Sequence, residues 1–70
     1  MTDTTLLNDI IKDKGIKKIW LADKIGVSRQ RLYNILDGAD VSVSEIEGIT
    51  EALGINATTR NKIFFASKVE

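Results

Sequence analysis

Apolar residues recur along this chain at helical spacing. Leu6, Leu7, Ile10 and Ile11 form a first stripe, Leu21, Ala22 and Ile25 a second at i, i+1 and i+4, and Leu32, Ile35 and Leu36 a third at i, i+3 and i+4. Each set marks one face of a helix. The pattern predicts an all-α chain of five short helices and no strand, over Thr5–Lys14, Lys18–Ile25, Arg29–Leu36, Glu45–Leu53 and Thr59–Lys68. Threonines precede the first helix and Gly15 stops it. Ser44 with Glu47 three places on has the pattern of a capping box for the fourth, which Gly54 closes. Gly48 inside that helix costs about 0.8–1 kcal/mol against alanine, so it is expected to let a neighbouring backbone come close. The expected core is Leu7, Ile10, Ile11, Leu21, Ala22, Ile25, Val27, Leu32, Ile35, Leu36, Ile46, Ile49, Leu53, Ile55 and Phe64.

Between the second and third helices, Gly26 can take a positive φ, Val27 can plug the corner, and Ser28 is a good N-cap. Ala22 is small where the two helices must approach most closely, and the turn has the length of roughly 3–4 residues that a helix-turn-helix needs. The segment L-A-x-x-x-G-V-S-x-x-x-L-x-x-I-L-x-G, residues 21–38, resembles the Cro/repressor-type helix-turn-helix family of phage and bacterial regulators. The likeness continues through V-S-x-x-E-I-x-x-I-x-x-A-L-G-I, residues 41–55, which is similar to the family's fourth helix and its exit. Ile63-Phe64-Phe65-Ala66-x-x-Val69 is similar to the ending of small regulators encoded in temperate phages of Gram-positive bacteria. The resemblance implies a compact lambda-repressor-like DNA-binding bundle, and a part in the choice between lysogenic and lytic growth.

Seventy residues suit one small domain, expected to span 1–70. Ten Lys/Arg balance ten Asp/Glu, which at first argues against a partner held by its phosphates. The charges are segregated, however. Lys12, Lys14, Lys17, Lys18, Lys24, Arg29 and Arg31 fall within residues 12–34 against only Asp13 and Asp23, a local balance of +5, while Asp37, Asp40, Glu45, Glu47 and Glu51 follow in a stretch without a basic residue. Segregation of this kind suits one face meeting an anion.

With Leu32, Ile35 and Leu36 turned inward, Gln30, Tyr33 and Asn34 point away from the core, flanked by Arg29 and Arg31. Arg29 can pair with a guanine edge and Gln30 or Asn34 with adenine, whereas Arg31 and Tyr33 suit phosphate, sugar or a thymine methyl. The resemblance places base contacts at Arg29, Gln30 and Asn34. Ser28, Lys17 and Lys18 complete the expected DNA-binding set. Lys17 and Lys18 depart from the family, which usually has a capping Ser or Thr and then Gln here. Two cations at the positive end of a helix dipole favour a docked anion, either a DNA phosphate or a partner's carboxylates. Ile19 and Trp20 precede the inward stripe of the second helix and are expected to be exposed. With Arg29 and Tyr33 they form the expected partner-binding set, because Trp is enriched at interface hot spots. Phe64 and Phe65 point about 100° apart, so one is expected inside and the other near the chain end or a dimer seam.

The chain has no Cys and no His, no glycine-rich phosphate loop and no G-x-S-x-G, and its carboxylates between Asp37 and Glu45 lack calcium-loop spacing. No enzyme activity, metal, cofactor or small-molecule substrate is therefore expected. No apolar run exceeds four residues, so neither a membrane span nor a secretory signal is expected, and the resemblance implies the cytoplasm of a bacterial host. The expected partners are operator DNA, a second copy in a homodimer, or the phage repressor, whose hold on DNA the protein would alter. An antitoxin of a toxin–antitoxin pair is the alternative, with little room for a toxin-binding segment.

Overall fold

The computed structural model describes residues 2–65. Five helices follow one another, α1 (Thr4–Asp13), α2 (Lys18–Ile25), α3 (Arg29–Leu36), α4 (Val43–Leu53) and α5 (Ala57–Phe64), with no strand among the described residues. Helices α2 and α3 are those the spacing predicts.

The corner between α2 and α3 is built as expected. Gly26 ends α2 at φ 78° and donates to the Asp23 carbonyl at 3.2 Å, while Val27 N–H reaches back to the Ala22 carbonyl at 3.0 Å. Those bonds satisfy carbonyls that the end of the helix would otherwise leave open, and a glycine takes the left-handed turn at the lowest cost. Ser28 then caps α3, its hydroxyl oxygen accepting from Arg31 N–H at 3.0 Å.

Leu7, Leu21, Leu32, Ile35, Ile49 and Ile63 are fully buried, with Ile11, Ala22, Leu36, Ile46, Leu53 and Phe64 around them. Helix α2 packs on both α3 and α4, α1 on α3 and α5, and α5 on α4. Gly48 does sit at a close approach, but against a side chain first: a Cβ there would lie 3.2 Å from both Cβ and Cγ2 of Ile25 and 3.8 Å from its Cα, so α2 would have to give by a few tenths of an ångström where α4 crosses it. Phe64 is buried and Phe65 exposed.

Several expectations need correcting. The capping box at the start of α4 is Ser42 with Glu45, not Ser44 with Glu47, and the helix opens two residues earlier than predicted. The V-S-V-S-E-I-E run offers the pattern in two registers, and only the first lets Glu45 also meet Arg31. Helix α5 begins at Ala57 because Asn56 caps it, its Oδ1 accepting from Thr59 N–H at 2.8 Å. The predicted end at Lys68, with Ala66 and Val69, lies outside the described residues. Ile10, Ile25, Val27 and Ile55 only edge the core. Ile63, which was not expected there, sits at its centre, and its carbonyl accepts from Asp3 N–H at 2.6 Å, tying the start of the chain across α5.

Candidate nucleic-acid interface

The outer face of α3 presents Arg29, Gln30, Tyr33 and Asn34, all exposed. Its residues also contact one another. Gln30 Nε2 donates to Asn34 Oδ1 at 3.0 Å, which joins the two amides one turn apart. This bond leaves the Gln30 carbonyl as an acceptor and the Asn34 amino group as a donor on two exposed residues. Across the corner, the Lys18 ammonium lies 5.8 Å from the centre of the Tyr33 ring, which joins the start of α2 to the same surface.

Lys17 occupies the N-cap of α2 in an extended conformation and makes no side-chain cap there. The first N–H groups of α2 are therefore left without a side-chain cap, beside a residue that carries a positive charge. Arg29, at the first position of α3, has no ion pair among the described residues. Lys17, Lys18 and Arg29 are all exposed, and the approach of Lys18 to Tyr33 ties that lysine to the surface of α3.

The chain's match to the Cro/C1-type HTH DNA-binding domain covers residues 7–58, which takes in most of α1, all of α2, α3 and α4, and the start of α5. The chain belongs to that family. No curated protein and no solved structure matches it. As a Cro/C1-type HTH domain it is a DNA-binding unit of transcriptional regulation, and α3 stands in the place of the helix that such a motif inserts into the major groove.

Within this Cro/C1-type domain Arg31 is placed differently from its neighbours on α3. Its Nε donates to Glu45 Oε2 and one terminal nitrogen to Glu45 Oε1, both at 2.8 Å, and that nitrogen also reaches the Asp40 carbonyl at 2.8 Å. Glu45 accepts in addition from Ser42 N–H at 2.9 Å as part of the capping box. The hydrogen bonds from Arg31 and then from Ser42 hold the Glu45 carboxyl down to about 2, and the same pairing pushes Arg31 up. Glu45 and the Asp40 carbonyl are thus part of the motif's architecture. Their role was hidden in the sequence because the partner is 14 residues away and a recognition-helix arginine equally suits a phosphate.

Ile19 and Trp20 are 54% and 46% exposed. The Lys24 ammonium lies 5.9 Å from the Trp20 ring centre, and Trp20 walls a shallow groove of about 320 Å³ with Gly15, Ile16 and Lys17. A larger groove of about 450 Å³, between Thr2, Val41, Ile46, Phe64 and Phe65, contains none of the expected recognition residues. No helix among the described residues is long and apolar enough to cross a membrane.

Proposed function

We propose that the protein regulates the lysis–lysogeny switch of a temperate phage by binding operator DNA through α3. Arg29, Gln30 and Asn34 read bases, and Lys17, Lys18, Ser28 and Tyr33 hold the sugar-phosphate backbone, on a two-fold site that suits a pair of protomers. The observation that carries this reading is the exposed Gln30–Asn34 amide pair beside Lys18 and Tyr33, on the helix that a Cro/C1-type domain turns toward DNA. The phage assignment rests on the resemblance of residues 63–69, of which 66–69 lie outside the described residues.

A second reading is favoured by the exposure of Ile19 and Trp20, which phosphate and base contacts do not need. In it, the phage repressor docks on Ile19, Trp20, Arg29 and Tyr33 and its hold on DNA is altered. A titration separates the two. Wild type, Trp20→Ala and Gln30→Ala are each titrated at two salt concentrations against the cognate repressor and against the duplex that wild type selects from a random library. Operator reading gives steeply salt-dependent binding that Gln30→Ala weakens by about 1–3 kcal/mol and Trp20→Ala leaves alone. Repressor binding gives a complex that loses about 2 kcal/mol or more in Trp20→Ala and depends little on salt. Failure to select any duplex would refute the first reading, and failure to bind the repressor the second.

A further inference from the structure

We propose that Arg31 is a positioning residue for DNA reading rather than a phosphate ligand: it fixes α3 against the following loop and the start of α4, and stays on Glu45 when DNA is bound. The inference rests on the reading of α3 as the DNA-facing helix.

Three hydrogen bonds at 2.8 Å use the Arg31 guanidinium on two separate elements, the Glu45 carboxylate of α4 and the Asp40 carbonyl of the connecting loop. The geometry is the paired, planar one that only arginine makes, and it is stronger than a neutral hydrogen bond. Helix α3 is only eight residues long and packs on α2 and α1 by Leu32, Ile35 and Leu36. Arg31 lies in its first turn, between the base-facing Gln30 and the buried Leu32, so it anchors the end of α3 that carries Arg29 and Gln30. Ser42 ties the same Glu45 into the capping box, so the carboxylate cannot follow Arg31 toward a phosphate without giving up its bond from Ser42 N–H. These bonds use three of the five guanidinium N–H groups: Nε and Nη2 are committed to Glu45 and Asp40, so a phosphate could clasp Arg31 in the paired geometry only by displacing Glu45 and could otherwise reach Nη1 alone.

The two roles predict opposite results for Glu45. If Arg31 were a phosphate ligand held in reserve, Glu45→Gln would release it, tighten binding and steepen the salt dependence. A positioning residue gives the reverse, with Glu45→Gln weakening binding to the selected sequence. Arg31→Lys keeps the charge but loses the planar fork, so a phosphate role predicts near-wild-type binding and a positioning role predicts loss.

The experiment measures binding of wild type, Arg31→Lys, Arg31→Gln, Glu45→Gln and the Arg31→Gln/Glu45→Gln double variant across a salt series. The probes are the duplex that wild type selects from a random library and a scrambled duplex of the same length, and thermal melting checks the fold of each variant. The expected result is a loss of about tenfold or more on the selected duplex for all four variants, with the double variant no worse than the singles. The scrambled duplex is bound nearly as by wild type, and the slope of log K against log salt is unchanged for every variant. A slope lowered by about one in Arg31→Gln, with both duplexes weakened equally, would overturn the inference, as would tighter binding by Glu45→Gln or wild-type binding by Arg31→Lys. If wild type selects no duplex at all, the DNA-facing reading of α3 fails and takes this inference with it.

Discussion

Gly48→Ala tests how closely α2 and α4 approach. On propensity alone, alanine in the middle of α4 should stabilise the chain by about 0.8–1 kcal/mol. Against that, the added Cβ would lie 3.2 Å from Cβ and Cγ2 of Ile25 and 3.8 Å from its Cα. Cγ2 can swing away by rotation about χ1. The Ile25 Cβ cannot, because the α2 backbone carries it, so the helices must part by a few tenths of an ångström along the seam that buries Leu21, Ala22 and Ile49. Overpacking of that kind costs about 1–3 kcal/mol, which leaves a net loss of roughly 0–2 kcal/mol once the propensity gain is subtracted. The assay is urea unfolding followed by far-UV circular dichroism on wild type, Gly48→Ala, Ile25→Gly and the double variant. Ile25→Gly removes both close atoms, Cβ and Cγ2, so Gly48→Ala should become neutral or stabilising in that background, with a coupling of about 1 kcal/mol. Full propensity stabilisation by Gly48→Ala in wild type, or additivity within about 0.3 kcal/mol, would refute the reasoning.

Two further perturbations address the core and the Arg31 pair. Leu21→Ala and Ile35→Ala each empty a fully buried site shared by α2 and α3 and should cost about 2–5 kcal/mol, so a melting temperature near that of wild type in either would show the helix faces to be wrong. Glu45 is held at about 2 in the folded chain, below its ordinary value of 4.5, so its contribution to stability is complete above 4.5 and is lost as pH falls toward 2. Glu45→Gln should therefore differ most from wild type near neutral pH and converge with it across that window, and denaturant midpoints measured above and inside the window check this.

The motif was legible because its signals are local. Gly26, Val27 and Ser28 are consecutive, and the apolar faces of α2 and α3 repeat within two turns, so spacing alone orients both helices. What escaped the sequence reading depends on contacts between distant segments. Glu45 and the Asp40 carbonyl acquire their meaning only when α4 folds back toward α3. Ile63 escaped for a different reason: α5 is polar from Thr58 to Lys62 and carries its apolar residues at one end, so no periodic stripe singles out Ile63 from Phe64 and Phe65. Its burial follows from the packing of α5 on α1 and α4, and from the bond that Asp3 makes across it.

The pairing of Arg31 also changes the electrostatic case for binding. The sequence shows a local balance of +5 in the motif region, but Arg31 is paired with Glu45, so the full charge of that region does not face a ligand. On the proposed reading, the cations that meet phosphates are Lys17 and Lys18, with Arg29 on a base, which gives a salt slope of about −2 for one protomer. Between low and physiological salt that amounts to roughly a tenfold loss of affinity, well below the loss for proteins that make six or more phosphate contacts. A domain with so few phosphate contacts gains little from non-specific attraction. On the proposed reading its specificity comes from Arg29 and the Gln30–Asn34 pair, and a second protomer on the other half-site or a protein partner would add the affinity that phosphate contacts do not supply. The exposed Ile19 and Trp20 lie beside Lys17 and Lys18, where such a partner would add apolar contact area that the cations cannot supply.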